Sequence, residues 1–387
     1  MRITEIAERS VPISRYLDDS VPSAGLTTSI VAVATDIIRD GAPVVGYGFS
    51  SVGRYAQSGL IRERFAPRLL GALSKDLVNV DGTNLDPFAA WNVMMSGEKA
   101  GGHGERCVAV GTLDMAIWDA ASKIAELPLW QFLSACLGTE VPSVHAINVY
   151  AGGGYPYPAR DINRLTDEVR RTLDLGFAYF KMKVGALPLG QDLRRIEAVA
   201  SLLGGDHLAV DAMNAYDRPS ALQSAVAFEP FGLWWFEDVC DPLDFDTQKA
   251  VAQSYSRPIA AGEALFSWTE ARMLANHGGL RKDKDILVFD PTHCYGVPGY
   301  LKIIETMEAR GFPRKSFWPH GGHLFAHQLV KALGLGGAEV NPFAFPPFGG
   351  VADQCLITQG QAKVPDIPGI GFESRDRLAQ LFLSLLR

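Results

Sequence analysis

One pattern constrains this chain more than any other: from about residue 142 onward, short apolar runs alternate with helical segments in a regular rhythm. The apolar runs are AINVY, AYFKMKV, HLAVDA, LWWFEDV, PIAAGEA, ILVFDP and SFWPHGG, separated by amphipathic stretches such as RLTDEVRRTLDLG and GYLKIIETMEARG. Strands that alternate with helices imply parallel βαβ units. Seven or eight such units over about 220 residues predict a (β/α) barrel, the usual closure for that many repeats. Residues before about 135 lack the rhythm. Ile3 to Ile13 reads as a strand, SIVAVATDII and PVVGYGF as two more joined by the turn-like RDGA, and Leu60 to Leu133 as helical. In VAVGTLDMAIWDAASKIAELPLWQFL, apolar residues recur at three- and four-residue steps until Pro128 interrupts them. That half predicts a small α+β domain.

The ends of the apolar runs carry ionisable residues. In order they are Lys181 and Lys183, Asp211, Glu237, Glu263, Asp290, His320 and Glu339. From Lys183 to His320 the intervals are 28, 26, 26, 27 and 30 residues, one βα unit each. A parallel barrel brings the C-terminal ends of its strands to one mouth, where such folds place their chemistry. A single acidic residue at a strand end is more often a helix cap, but an ordered set on successive strands is not explained that way. Asp211, Glu237 and Glu263 would repel one another unless a cation sat among them, and hard oxygen ligands favour Mg2+, with Mn2+ as the alternative. Lys181 and Lys183 are two apart and share one face of their strand. Together in the mouth they are expected to lower each other's pKa, so that one can serve as a base. Asp290 is expected to orient His320 as the second proton-transfer group; His323, in PHGGH, competes for that role.

Length and composition fit this reading. A chain of 387 residues suits a barrel plus a smaller domain, and 47% hydrophobic residues can fill a large core. A net charge of -7 argues against a nucleic-acid partner, and no apolar run is long enough for a membrane span. Five scattered cysteines (Cys107, Cys136, Cys240, Cys294 and Cys355) with no CxxC pair fit reduced thiols, and the expected location is cytoplasmic.

The KMK strand, the three carboxylates one unit apart and the Asp–His pair resemble the enolase superfamily in its mandelate racemase subgroup. The resemblance extends over essentially the whole chain. Within the subgroup, segments such as GEKAGGHGER, VYAGGGYPYP, FEDVCDPLDF and WPHGGH look most like the D-tartrate dehydratase family. The resemblance implies a (β/α)7β modified TIM barrel at 136–359. It also implies an α+β capping domain at 1–135, to which 360–387 returns. It implies one Mg2+ per active site, held by Asp211, Glu237 and Glu263, with Lys183 as base and Lys181 as its electrostatic partner. His320, paired with Asp290, becomes the general acid, and a small acid sugar such as D-tartrate the substrate. Lys99, Tyr155 and Glu339 match substrate-contacting positions, and a homo-oligomer is expected. Two departures stand out. The usual Asp-x-Asn reads Asp211-Ala212-Met213-Asn214, which leaves open whether Asn214 takes that role. The capping loop SSVGRY has Val52 near where the resemblance places an Asn. The alternatives are a dehydratase, epimerase or racemase of another acid sugar, or a non-catalytic barrel that binds metal and ligand.

Overall fold

A computed structural model describes residues 1–387 except Asp19, Ala24 and Arg387. The N-terminal strands β1 (Ile3–Pro12), β2 (Thr27–Arg39) and β3 (Ala42–Phe49) form an antiparallel sheet in that order. Arg39 pairs with Ala42 across the β2–β3 turn. The two turn residues, Asp40 and Gly41, both take positive φ, 50° and 79°, as a two-residue hairpin of this twist requires. The RDGA signal therefore forms the expected hairpin.

Helix Glu105–Ile124 packs on this sheet and is buried around almost its whole circumference, as a helix apolar on all sides must be. Both of its flanks depend on missing side chains. A Cβ on Gly46 of β3 would stand 1.9 Å from the Ala116 carbonyl, and one on Gly111 would stand 1.8 Å from the Thr292 carbonyl. Backbones approach there because nothing intervenes. Asp114, buried inside the same helix, accepts a hydrogen bond from the Val297 amide at 2.7 Å and so caps barrel helix Gly296–Glu308. Pro128 ends the run as expected, and a separate helix, Leu129–Leu137, follows.

The barrel strands are β4 (Ile147–Gly153), β5 (Phe180–Lys183), β6 (Leu208–Asp211), β7 (Phe236–Glu237), β8 (Ile259–Ala261), β9 (Ile286–Leu287) and β10 (Ala338–Val340), all parallel to their barrel neighbours. SFWPHGG, expected to be a strand, is the irregular stave. Phe317 bridges Leu287, and the amides of Trp318 and His320 donate to Leu287 and Val288 at 2.8 and 3.3 Å. On the other side Gly336 and Glu339 donate to Phe317 and Pro319 at 3.0 and 3.5 Å. The barrel thus closes between β9 and β10 with backbone hydrogen bonds on both sides. Pro319 has no N–H to offer, which limits a regular ladder there.

With helices after seven of the eight staves, this is a (β/α)7β barrel beside an antiparallel-sheet cap. Tyr150, Ala209, Trp235, Ala260 and Val288 form a separate buried cluster, against which Trp234 and Trp318 pack. A two-residue strand β11 (Gln361–Ala362) pairs antiparallel with β4, and the C-terminal helix Asp376–Leu383 stacks Phe382 on Tyr47 of the cap sheet. Among the described residues, no helix is long and apolar enough to cross a membrane.

Candidate active site

Strand register builds the site. Lys183 pairs with Asp211 and Asp211 with Glu237, so three successive strands end level. Lys181 is wholly buried and meets Glu237 Oε1 at 2.5 Å, Glu339 Oε1 at 3.3 Å and Asp211 Oδ2 at 3.7 Å. Lys183 Nζ donates to Asp211 Oδ2 and lies 5.5 Å from the centre of the Tyr155 ring. The backbone turns sharply just beyond these strand ends: Met213, Asn214 and Asp238 all carry positive φ, between 47° and 59°. That turn lets the Met213 amide donate to Asp211 Oδ1 at 2.7 Å and fix the carboxylate. Trp235, just before β7 and two residues before Glu237, donates its indole N–H to Glu237 Oε2 at 2.7 Å.

Asp211, Glu237 and Glu263 each offer an oxygen, and the three atoms lie within 4.8 Å of one another. Glu263 Oε2 is buried without a hydrogen-bond partner. An all-oxygen set this close, with an oxygen left over, fits a hard divalent cation. The electrostatics agree. Burial, aided by the charges of Asp211 and Glu263 and opposed by Lys181, pushes Glu237 up to about 7. Asp238, next in sequence, is driven well above the carboxylate range by burial and then by Glu263 and Asp211.

The lysines correct an expectation. Burial does act to lower both, and Lys181 does act to lower Lys183. Yet Asp211 for Lys183, and Glu237 and Glu339 for Lys181, outweigh those effects, and both amines are raised. A carboxylate in direct contact is stronger than an ammonium held on its own carboxylate partner.

Across the mouth, His320 Nδ1 lies 3.0 Å from Asp290 Oδ2, and its Nε2 lies 3.5 Å from Glu263 Oε2. Burial would lower His320, but Glu263 and the Asp290 hydrogen bond outweigh it and raise the imidazole to about 9. His323 does different work. Its Nδ1 accepts from the Ala326 amide at 3.3 Å, capping helix Leu324–Leu333. Its Nε2 meets Ser51 Oγ at 3.0 Å, and Ser51 in turn donates to Asp290 Oδ2 at 2.6 Å. Burial lowers His323 to about 4, so it is a neutral brace.

A cavity of about 230 Å³ opens between these groups, lined among others by Tyr155, Lys183, Met213, Asn214, Glu263 and His320. Arg15, Gly53 and Arg54 line it from the cap. The predicted contacts divide accordingly. Tyr155 faces the cavity. Glu339 sits behind Lys181, with Oε2 accepting from the Gly321 amide at 3.0 Å. Lys99 is exposed on the loop before helix Glu105–Ile124 and does not line the cavity; its carbonyl accepts from Arg106. Asn214 lines the cavity with its amide Nδ2 donating to the Cys240 carbonyl at 2.8 Å. Val52, by contrast, is buried in the core, and its neighbours Gly53 and Arg54 present themselves instead. Arg15, Ser51 and Arg54 were missed because nothing local in the sequence marks a loop that will fold over a distant mouth.

Residues 164–378 match the enolase C-terminal domain-like family. The chain belongs to the enolase superfamily. Its relatives fall in the mandelate racemase and muconate lactonizing subgroup. Over 369 residues it is 25% identical to an arabinonate dehydratase of Saccharolobus solfataricus, covering 92% of both chains. It is 28% identical to a 3,6-anhydro-alpha-L-galactonate cycloisomerase of Streptomyces coelicolor, covering 95% of this chain and 96% of that one. A solved L-talarate dehydratase from Polaromonas sp. JS666, complexed with Mg and L-glucarate, superimposes with a TM-score of 0.72. It is 26% identical, over 96% of this chain and 94% of that one. As a superfamily member, the chain has acid-sugar dehydratases and cycloisomerases as its relatives.

Proposed function

We propose that this protein is an acid-sugar hydro-lyase, with D-tartrate as substrate and oxaloacetate as product. The observation that carries the reading is that Lys183 and His320 line one cavity beside the Glu263 end of the carboxylate cluster. Asp211, Glu237 and Glu263 would hold the divalent cation, Mg2+ as in the Polaromonas enzyme. When bound, the cation polarises the substrate carboxylate and offsets the negative charge that grows on it.

Lys183 takes the proton from C2. With Asp211 serving as a ligand, its charge would no longer hold the Lys183 ammonium, and the amine would be free to act as base. Lys181, kept protonated by Glu237 and Glu339, supplies positive charge from beneath without needing to move. His320 donates its Nε2 proton to the departing 3-hydroxyl, while Asp290 fixes the ring through Nδ1. The C2–H electron pair passes first into the substrate carboxylate as an enediolate, then forms the C2–C3 double bond as the 3-hydroxyl leaves as water, and the enol tautomerises to the keto acid. Arg15 and Arg54 suit a second carboxylate at the far end of a short diacid, and the cavity of about 230 Å³ suits a small one.

The test is a keto-acid assay with Mg2+ on a panel that contains D-, L- and meso-tartrate together with longer acid sugars. Turnover of D-tartrate, lost on chelation, is the expected result. Turnover of another acid alone would keep the proton chemistry and move the substrate. Silence across the panel would overturn the hydro-lyase reading.

A further inference from the structure

Beyond the carboxylate cluster, a second group of ligand-type atoms converges at the mouth. Asp290, His293 and His320 each offer one donor atom, and the three lie within 4.8 Å of one another. His320 Nδ1 is 3.0 Å, and His293 Nδ1 3.8 Å, from the same Asp290 oxygen. A tetrahedral zinc-type site places ligands about 2.0–2.2 Å from the metal, and hence about 3.3–3.6 Å from one another. The observed spacing brackets that.

His293 supplies an independent observation. It is 2% exposed, and neither of its ring nitrogens has a hydrogen-bond partner. The ring lies between Phe266 and His320, at centroid distances of 6.0 and 5.7 Å. Buried side-chain nitrogens normally find a partner, so two left unpaired on one ring call for a ligand. The proposed reaction gives His293 nothing to do. Local geometry nonetheless fixes it: its amide points to Asp290 Oδ1 at 3.4 Å, in the turn that leads into helix Gly296–Glu308.

We propose that Asp290, His293 and His320 form a second, inhibitory cation site, selective for a zinc-class transition metal. The donor set decides the selectivity. Two imidazoles and one carboxylate suit a borderline-soft ion, whereas the all-oxygen cluster on the other side of His320 suits a hard one. The two sites share the His320 ring, with Nε2 facing Glu263 and Nδ1 meeting the Asp290 oxygen that His293 Nδ1 also approaches. Metal bound at Nδ1 displaces that nitrogen's proton to solvent and takes the ring out of proton transfer. Zinc therefore occupies the site alongside Mg2+ instead of replacing it, and activity falls while Mg2+ stays bound.

The test is equilibrium dialysis with Zn2+ in saturating Mg2+, together with zinc-edge X-ray absorption of the wild-type protein. The expected result is one Zn2+ per chain in addition to one Mg2+, with two imidazoles in the zinc shell. His293→Phe should lose the Zn2+ and keep the Mg2+, and the retained Mg2+ also shows that the barrel is intact. No zinc beyond what displaces Mg2+, an all-oxygen zinc shell, or undiminished zinc uptake by a Mg2+-binding His293→Phe protein would each overturn the proposal. The absorption result needs no variant, so it decides even where the substitution does not fold.

Discussion

At the scale of single residues, the site works by contacts that compete for the same proton. Lys183 faces Asp211, and the outcome of that contact sets whether the amine is an acid or a base. Lys183→Ala should abolish exchange of the substrate α-proton with solvent deuterium, followed by NMR; persisting exchange would remove Lys183 as the base. His320 belongs to a later step. His320→Asn should slow loss of water by at least about 100-fold, in the range of a lost general acid, while α-proton exchange falls much less. Equal loss of both would demote it. Its pH dependence has a definite sign. The imidazole is raised from 6.5 to about 9, so the acid form persists through neutrality and is lost as pH rises through about 9. The stability that this shift contributes is fully present below about 6.5 and disappears over the same rise. NMR titration of the metal-free protein should therefore show the His320 ring charged at neutrality and losing its proton around pH 9, and a ring already neutral at pH 7 would contradict this. Lys181 and Lys183 were legible because residues two apart share one face of a strand, and His320 because it ends an apolar run, whereas Tyr155 came only with the family resemblance. Lys99 and Val52 were not legible, because their surroundings come from other segments.

At the scale of elements, close backbone approach joins cap and barrel. Helix Glu105–Ile124 is clamped between Gly46 and Gly48 of β3 on one side and the Thr292 carbonyl at Gly111 on the other. Gly46→Ala would set a methyl 1.9 Å from a carbonyl oxygen, in contact with backbone that cannot swing aside. Overpacking of this kind costs about 1–3 kcal/mol, so the urea midpoint should fall while cation affinity of the folded protein is retained. An unchanged midpoint would show that the helix slides freely on the sheet. The hairpin at Asp40–Gly41 and the helix break at Pro128 were readable, because turn and breaker chemistry is local. The irregular stave at Phe317–His320 was readable as a strand only in part. Pro319 has no N–H to give a ladder, and the pairing partners on either side are supplied by the fold.

At the scale of the whole molecule, one carboxylate ties three distant parts of the chain together. Asp119, fully buried on helix Glu105–Ile124, accepts from the Tyr47 amide on β3 at 2.9 Å and from the Ile370 amide at 2.7 Å. It also pairs with Lys123 at 2.6 Å, which reaches Glu373 at 2.6 Å. Asp119→Ala should cost about 3–5 kcal/mol, the usual loss when one member of a buried pair is removed, measured by denaturant unfolding. A loss below about 1 kcal/mol would mean that other contacts, among them Phe382 on Tyr47 and the β11–β4 pairing, hold the C-terminal segment without it. The sequence by itself determined the βα rhythm of the barrel half and the order in which ionisable groups reach the mouth. Helical and strand periods are set by short-range backbone geometry, and a residue's place in a strand fixes the direction it faces. Only the tertiary structure decided which carboxylate each lysine meets, that His323 caps a helix while His320 faces the cavity, and that Arg15 and Arg54 reach it from the cap. Those outcomes depend on distances between segments far apart in the chain, and such distances exist only once the barrel has closed and the cap has settled on its mouth.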